Sequence, residues 1–136
     1  MPGETDLNTI LASLNPKLST EEFVFCTFPE ARYGDHAMLD PVACVVEEEG
    51  VTLVLPRDQA DLSDLSYDVV FRSITLHVHS SLEAVGLTAA VSARLARAGI
   101  SANMVAGYYH DHIFVQAERA QQAIEALSNG MDRSSP

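Results

Sequence analysis

Residues 81–115 read SLEAVGLTAAVSARLARAGISANMVAGYYHDHIFV, and the spacing of the apolar residues changes along this stretch. Its first half is rich in alanine, a strong helix former, and carries four apolar residues at helical spacing, Leu87, Val91, Leu95 and Ala98. We expect Thr88 to help cap the start of this helix. We expect Gly99 to end it, because glycine readily adopts the left-handed conformation that follows a helix.

Two short apolar runs follow and predict an antiparallel hairpin. Met104 and Val105 form the first run, Ile113–Val115 form the second, and Gly107 lies in the polar turn between them. A strand is predicted before the helix, at Ile74–Val78. A second helix is predicted after the hairpin from its apolar residues Ala117, Ala120, Ile124 and Leu127, with a polar tail after Ser128. The order β-α-β-β-α is typical of a split βαβ, ferredoxin-like module.

The first half of the chain predicts similar elements in a similar order. Phe23–Phe28 reads as a strand, and Ala31–Asp40 as a surface connection. Val42–Glu47 and Val51–Leu55 flank a turn and predict a hairpin. Arg57–Leu65 follows as a short helix. One further helix is expected near the start of the chain, from the apolar stripe Leu7, Ile10, Leu11 and Leu14.

The segment GLTAAVSARLARAGISANMVAGY, residues 86–108, resembles an ACT domain, the small ligand-binding module that regulates many amino-acid pathway enzymes. The chain is similar to stand-alone bacterial tandem ACT proteins related to the regulatory regions of aspartate kinase. It is more distantly similar to the cytosolic arginine sensors of animal cells. The segments FVFCTF (23–28) and VVEEEGVTLVLP (45–56) also fit this bacterial group.

The resemblance implies an α+β fold of two ferredoxin-like, βαββαβ-type modules with antiparallel sheets. We expect an N-terminal ACT-like module at residues 1–66 and a C-terminal ACT module at residues 67–136. A complete module ends in a fourth strand, and nothing after Leu127 resembles one. Because proteins usually cover a bare sheet edge, we expect Phe23–Phe28 to pair with the strand that ends at His79, so that the modules interlock.

The resemblance also implies a ligand site, commonly for an amino acid, between the Leu82–Thr88 loop and the facing strand Ala102–Val105. The candidate ligand-binding residues are Val85, Gly86, Leu87, Asn103, Met104 and Asp111. Backbone N–H groups at a helix start can hold a carboxylate, and Asp111 can pair with an ammonium or guanidinium group. The alternative is that Gly86 serves only the turn and Asn103 only the local backbone.

The four histidines His77, His79, His110 and His112 form two H-x-H pairs. Side chains alternate along a strand, so each pair shares one face of the sheet, opposite the helices. Neighbouring antiparallel strands would gather the four rings at one corner. Such a cluster can bind zinc, copper or nickel. The alternative is a polar sheet face or an interface patch whose charge rises as the pH falls.

Composition narrows the classes of function. The net charge is −11 and the pI about 4.6, which disfavours nucleic acid and anionic membranes as partners. No run approaches the roughly 20 apolar residues of a membrane span, and Met1–Asp6 is polar and acidic rather than typical of a leader. Cys26 and Cys44 lie in apolar runs, which favours reduced thiols and a cytoplasmic location.

No catalytic motif accompanies these features, so we expect a protein that is not an enzyme and needs no cofactor. The leading hypothesis is a regulatory protein that binds a small molecule, in particular an amino acid. One alternative is a ligand-independent regulatory subunit of an aspartate-kinase-like enzyme, and another is metal binding by the histidine cluster. A homodimer or a complex with a partner enzyme is expected.

Overall fold

The computed structural model describes residues 15–77 and 84–133, with the side chains of 15–77 and 86–128. The predicted helix around Leu7–Leu14, as well as Val78 and His79, lie outside these ranges. The strands are β1 Lys17–Pro29, β2 Ala43–Glu47, β3 Gly50–Pro56, β4 Phe71–His77, β5 Asn103–Ala106 and β6 His110–Gln116. The helices are α1 Arg57–Leu62, α2 Ala84–Arg97 and α3 Ala120–Arg133, with short 3-10 turns at Ala37–Leu39 and Ala117–Arg119.

The chain divides into two compact units that are not separate stretches of sequence. The first, called the N-terminal unit, contains residues 20–72. The second, called the C-terminal unit, contains residues up to Ser19 together with those from Ser73 onward. Strand β1 therefore supplies residues to both units. The α+β fold with antiparallel pairing is confirmed, as is the expectation that the modules interlock along the chain.

In the N-terminal unit the strand order is β2-β3-β1, with both pairs antiparallel. Val24 lies opposite Leu55 and Cys26 opposite Leu53, so alternate residues of the two strands share one buried face. The buried cluster on that face consists of Val24, Cys26, Leu39, Val51, Leu53, Leu55 and Ala60. The predicted strand at 23–28, the hairpin and the short helix from Arg57 are all confirmed.

A hydrogen-bond network in this unit holds the segment that follows α1. The hydroxyl of Tyr67 donates to a carboxylate oxygen of Asp61 at 2.7 Å and accepts from Nε of Arg57 at 3.0 Å. The guanidinium of Arg57 also pairs with Glu22 of β1 at 2.8 Å. Since these side chains are partly exposed, the network adds little to the free energy of unfolding. Its main effect is to fix the path of the chain after α1.

In the C-terminal unit β4 lies between the start of β1 and β6, and β5 forms the far edge. The backbone N–H of Ser73 donates to Oγ of Ser19 at 3.0 Å, and Leu18 packs against the buried cluster of this unit. β1 is the neighbour of β4, but the segment expected to pair with it, Phe23–Phe28, pairs with β3 instead, and the residues of β1 in this unit end at Ser19. The prediction is therefore right for the strand and wrong for the residues.

The helices α2 and α3 cover the buried face of this unit. That cluster contains Ile74, Leu76, Leu87, Val91, Leu95, Ile100, Ile113, Val115, Ala120, Ala123 and Leu127. Ile74, Leu76, Ile113 and Val115 therefore point at the helices, and the described histidines of β4 and β6 lie on the opposite face, as predicted. The prediction of a polar tail after Ser128 is wrong, because α3 continues to Arg133. None of the described helices is long and apolar enough to cross a bilayer.

The sequence predicted the end of α2 correctly but not its start. The helix begins at Ala84, so Thr88 lies inside it and the prediction that Thr88 caps its start is wrong. Gly99 ends the helix as predicted, with φ at +76°. The N–H of Gly99 donates to the carbonyl of Ala96 and that of Ile100 to the carbonyl of Leu95, both at 2.9 Å. This is the Schellman pattern, and the residue after the glycine is buried, as the motif favours.

The shared strand generates the first testable prediction. A fragment of residues 66–136 lacks Leu18 and the strand that covers the edge of β4, so we expect it not to form a folded, soluble domain. Circular dichroism and a thermal melt of the purified fragment, beside the full chain, would measure this. A cooperative melt of the isolated fragment would contradict the prediction.

Gly50 generates a second prediction. Its φ is +147°, and a Cβ there would lie 2.7 Å from the backbone nitrogen of Glu30 and closer still to the carbonyl oxygen of Phe28. We expect Gly50→Ala to lower the free energy of unfolding by about 3 kcal/mol, because rigid backbone atoms must move. Gly34 is the matched control, with φ at +93° and no atom within 4 Å of an added Cβ.

Gly34→Ala carries only the cost of the left-handed backbone, about 1 kcal/mol. Denaturant unfolding of both variants measures the difference. Equal losses of stability would show that the close approach at Gly50 is not what fixes the hairpin.

Candidate functional site

The first group of predicted ligand-binding residues lies in the first turn of α2. Val85, Gly86 and Leu87 were expected in a loop that ends at Thr88, but the helix begins before them, at Ala84. Leu87 is 3% exposed and belongs to the buried cluster, whereas Gly86 is exposed. The first four N–H groups of a helix lack partners within the helix. What this turn offers to a ligand is therefore its backbone donors.

The second group lies on the β5–β6 hairpin and is divided between its two faces. Met104 pairs with Ile113 and packs against the buried cluster, and Asp111 lies two residues before Ile113 on the same face. Asn103 lies on the opposite face. Its Nδ2 donates to the carbonyl of Phe114 at 3.1 Å. The structure thus brings Met104 and Asp111 to one face of the hairpin and does not bring Asn103 to it.

The histidine cluster forms where the end of β4 meets the start of β6, on the sheet face away from α2 and α3. The ring centroids of His77 and His110 are 4.9 Å apart and nearly perpendicular, and those of His110 and His112 are 6.4 Å apart. Nδ1 of His112 lies 3.2 Å from Oγ1 of Thr75. The predicted gathering of these three rings is confirmed, while His79 lies outside the described part of the chain.

The environment of His112 opposes its protonation. Burial lowers the pKa of His112, the neighbouring His110 lowers it further, and Asp111 partly opposes both. Nδ1 of His77 is buried without a hydrogen-bond partner among the described residues. Because His112 accepts a proton less readily in the folded chain than in the unfolded one, its contribution to stability falls as the pH drops below about 6.5.

Metal binding gains no support from the described ranges 15–77 and 84–133. They contain no group of three or more histidine, cysteine, aspartate or glutamate side chains arranged to hold a metal ion. Zinc in proteins usually takes three or four such ligands. The three described histidines instead make ring contacts with one another and a contact with a threonine hydroxyl.

The N-terminal unit contains a cavity of about 220 Å³ that the sequence analysis did not anticipate. Its lining residues are Arg32, Tyr33, Gly34, Asp35, His36, Ala37, Asp40, Pro41, Cys44, Val51 and Leu53. The segment 31–40 was predicted only as a surface connection. Gly34, Asp35 and Asp40–Pro41 are turn-forming residues and signalled a loop, but no pattern in the sequence signalled a concave surface.

The walls of this cavity are held by local contacts. A carboxylate oxygen of Asp35 accepts from the backbone N–H of Arg32 at 2.8 Å. The ring of His36 stacks on that of Phe28 with centroids 4.1 Å apart. The backbone N–H of Asp40 donates to the carbonyl of Ala37 at 3.1 Å, which closes the short 3-10 turn.

The solved structures similar to this chain include a protein of high sequence identity. It is a Vibrio cholerae protein of unknown function, described as a possible transport protein, with 49% identity and a TM-score of 0.84. The match covers 94% of this chain and 98% of that one. A search of curated proteins finds no match.

Two aspartate kinase structures share the fold at much lower identity. The ligand-free regulatory subunit from Thermus thermophilus is 10% identical with a TM-score of 0.63, over 88% of this chain and 98% of that one. Escherichia coli aspartokinase III, in complex with aspartate and ADP, is 12% identical with a TM-score of 0.61. That match covers 89% of this chain and 34% of the kinase chain.

Both halves of the sequence match family models of the same domain type. A model described as an ACT domain matches residues 2–72, and a second model with the same description matches residues 69–129. The first alone covers more than half of the chain. The protein therefore belongs to the ACT-domain family and carries two matches to the domain in tandem.

Proposed function

We propose that this protein is a non-catalytic regulator, acting in the cytoplasm, that binds an amino acid. The observation that carries the proposal is the tandem pair of ACT-domain matches at 2–72 and 69–129, since ACT domains are typically regulatory and ligand-binding. We take residues 1–66 and 67–136 as the limits of the two proposed modules.

The proposed site uses the first turn of α2 and the face of the hairpin that carries Met104. The carboxylate of the ligand accepts from backbone N–H groups at Val85–Leu87, where the positive end of the helix dipole favours an anion. The ammonium group pairs with Asp111, and Met104 supplies an adaptable apolar contact. In this proposal Asn103 acts indirectly, because its amide holds β5 to the backbone of Phe114.

The regulated partner is proposed to be an enzyme, or a second copy of this chain. The shared fold of aspartate kinase regulatory subunits supports a partner enzyme, but at 10% identity the likeness extends to the fold alone. A ligand-independent regulatory subunit is the alternative function that the same likeness favours.

Ligand screening provides the third testable prediction. We expect one amino acid of the twenty to raise the melting temperature of the full chain, because a ligand that binds only the folded state stabilises it. At 100 times its Kd a ligand adds about 2.7 kcal/mol, which corresponds to a rise of several degrees for a chain of this size. A shift with zinc and none with any amino acid would favour the metal alternative. No shift with either would favour the ligand-independent subunit.

Two substitutions locate the proposed site and form the fourth prediction. Gly86→Val adds bulk where the ligand meets the backbone, and Asp111→Asn removes a charge-assisted hydrogen bond worth about 1.5–3 kcal/mol. We expect calorimetric titration with the amino acid found by screening to show binding weakened at least tenfold in each variant.

The controls introduce the same residues, valine and asparagine, at other exposed positions. Ala96→Val places valine in a later turn of α2, and Asp68→Asn removes a carboxylate from the N-terminal unit. Both should bind the amino acid like the unmodified chain. Unchanged affinity in Gly86→Val and Asp111→Asn would place the site elsewhere.

A further inference from the structure

The three described histidines of the C-terminal unit, His77, His110 and His112, have surroundings that favour neutral rings. All three side chains are half-buried. The ring centroids of His77 and His110 are 4.9 Å apart, so two protonated rings would repel each other at short range. The polar contacts of His77 and His112 favour the neutral imidazole as well.

Those contacts supply few acceptors. A protonated imidazole carries an N–H on both nitrogens and needs two acceptors. Nδ1 of His77 is buried and has no hydrogen-bond partner within the ranges that the structure describes, so a protonated ring would leave a buried N–H unpaired. Nδ1 of His112 lies 3.2 Å from Oγ1 of Thr75, a hydroxyl that can donate to a neutral ring. Neutral rings therefore fit this site better than protonated rings.

The turn between β5 and β6 lies directly against these histidines. A Cβ built at Gly107 would lie 3.6 Å from Nε2 of His112 and 2.9 Å from the carbonyl oxygen of His110. The backbone N–H of Gly107 donates to that same carbonyl oxygen at 2.8 Å. The side chains of Tyr108 and Tyr109 are 95% and 75% exposed. The position of the turn thus depends more on the two histidines beneath it than on its own side chains.

The neighbouring charged groups do not offset an added proton. The strand β5, Asn103–Ala106, has no titratable side chain. Lys17 of β1 falls on the same sheet face as the histidines, since Leu18 beside it packs on the helix side. Asp111 favours protonation of His112, but burial and the neighbouring ring outweigh it and lower the pKa of His112. The helices α2 and α3 cover the opposite face.

We propose that the three histidines are an acid-sensitive latch, whose neutral rings hold the β5–β6 turn closed and whose protonation opens it. An open turn exposes the rings to water, where each can bind a proton near pH 6.5, so acid stabilises the open form. The rest of the C-terminal unit stays folded in both forms. The proposal does not rest on the proposed function, because the histidines lie on the sheet face opposite Met104 and Asp111 and the latch needs no ligand.

Proton linkage sets the size of the expected effect. One ring that protonates only in the open form, with a pKa of about 6.5, raises the open population about tenfold between pH 7.5 and pH 5.5. Two such rings raise it about 100-fold. The closed form therefore dominates at neutral pH, and the response falls in the range in which histidine titrates.

The test is amide hydrogen exchange of the full chain by NMR at pH 7.5 and pH 5.5, with EDTA present to remove metal ions. Protection factors correct for the intrinsic effect of pH on exchange, and we expect that of the Gly107 amide to fall at least tenfold at pH 5.5. The amide of Ile100, which donates to the carbonyl of Leu95 at 2.9 Å in the same unit, should keep its protection.

Two outcomes of this experiment would overturn the latch. An equal loss of protection at Gly107 and Ile100 would mean that the whole unit unfolds in acid rather than the turn alone. Equal protection of Gly107 at both pH values, or no protection at pH 7.5, would mean that the histidines do not hold the turn.

Matched variants assign the response to the cluster. His112→Asn removes one titrating ring but keeps a side chain that can hydrogen-bond with Thr75. We expect the pH response of Gly107 to shrink by about the tenfold that one ring contributes. His36→Asn makes the same change in the N-terminal unit and should keep the full response. A full response in His112→Asn, or a lost response in His36→Asn, would contradict the proposal.

A titration of the unmodified chain tests the latch even if His112→Asn does not fold. The NMR signals of the ring protons of His77, His110 and His112 follow protonation directly. At least one of these rings should titrate together with the loss of protection at Gly107. His110→Asn, which removes the neighbouring ring, should shift the titration midpoint of His112 upward. Titration of all three rings without any change at Gly107 would overturn the proposal.

Discussion

One continuous strand, β1, supplies residues to two hydrophobic cores, and this constraint underlies the rest of the structure. Leu18 packs into the cluster of the C-terminal unit, while Val24 and Cys26 belong to the cluster of the N-terminal unit. A slip of one residue in the pairing of β1 with β3 would turn Val24 and Cys26 away from their core. The register of the N-terminal sheet is thereby fixed by burial, and with it the position of the β2–β3 hairpin that floors the cavity.

The alternation of side chains along β6 places the polar groups of this strand on two different faces of the sheet. Ile113 and Val115 are fully buried against the helices, so His110 and His112 must lie on the other face. Asp111 falls on the side of the buried residues, next to the hairpin turn. Its carboxylate and the histidine rings thus lie on different faces although they are consecutive in sequence, so the proposed ligand site and the histidine cluster use opposite faces of one short strand.

Local signals allowed much of the fold to be predicted. Gly99 and the alternating hairpin residues each report on neighbours a few positions away, and both predictions were confirmed. The start of α2 was missed because the prediction relied on Thr88, a preferred capping type that lies inside the helix. Its end at Gly99 was found because the left-handed residue has few alternatives.

The cavity was missed for a different reason. A concave surface depends on how the segment 31–40 lies over Val51 and Leu53, which come later in the chain, and no spacing rule describes that arrangement. The division of the hairpin residues was, by contrast, within reach of sequence reasoning. Asn103 and Met104 are adjacent in a strand, so alternation alone assigns their side chains to opposite faces.

Net charge explains why the site proposed at α2 suits an amino acid better than a simple anion. With a charge of −11 the surface repels carboxylates and phosphates at a distance, over a screening length of about 8 Å at physiological salt. A zwitterion carries no net charge and is not repelled in this way. At contact range it experiences only the local groups of the proposed site, the helix amides and Asp111. An acidic surface is therefore compatible with binding of a carboxylate, provided that the same molecule brings its own cation.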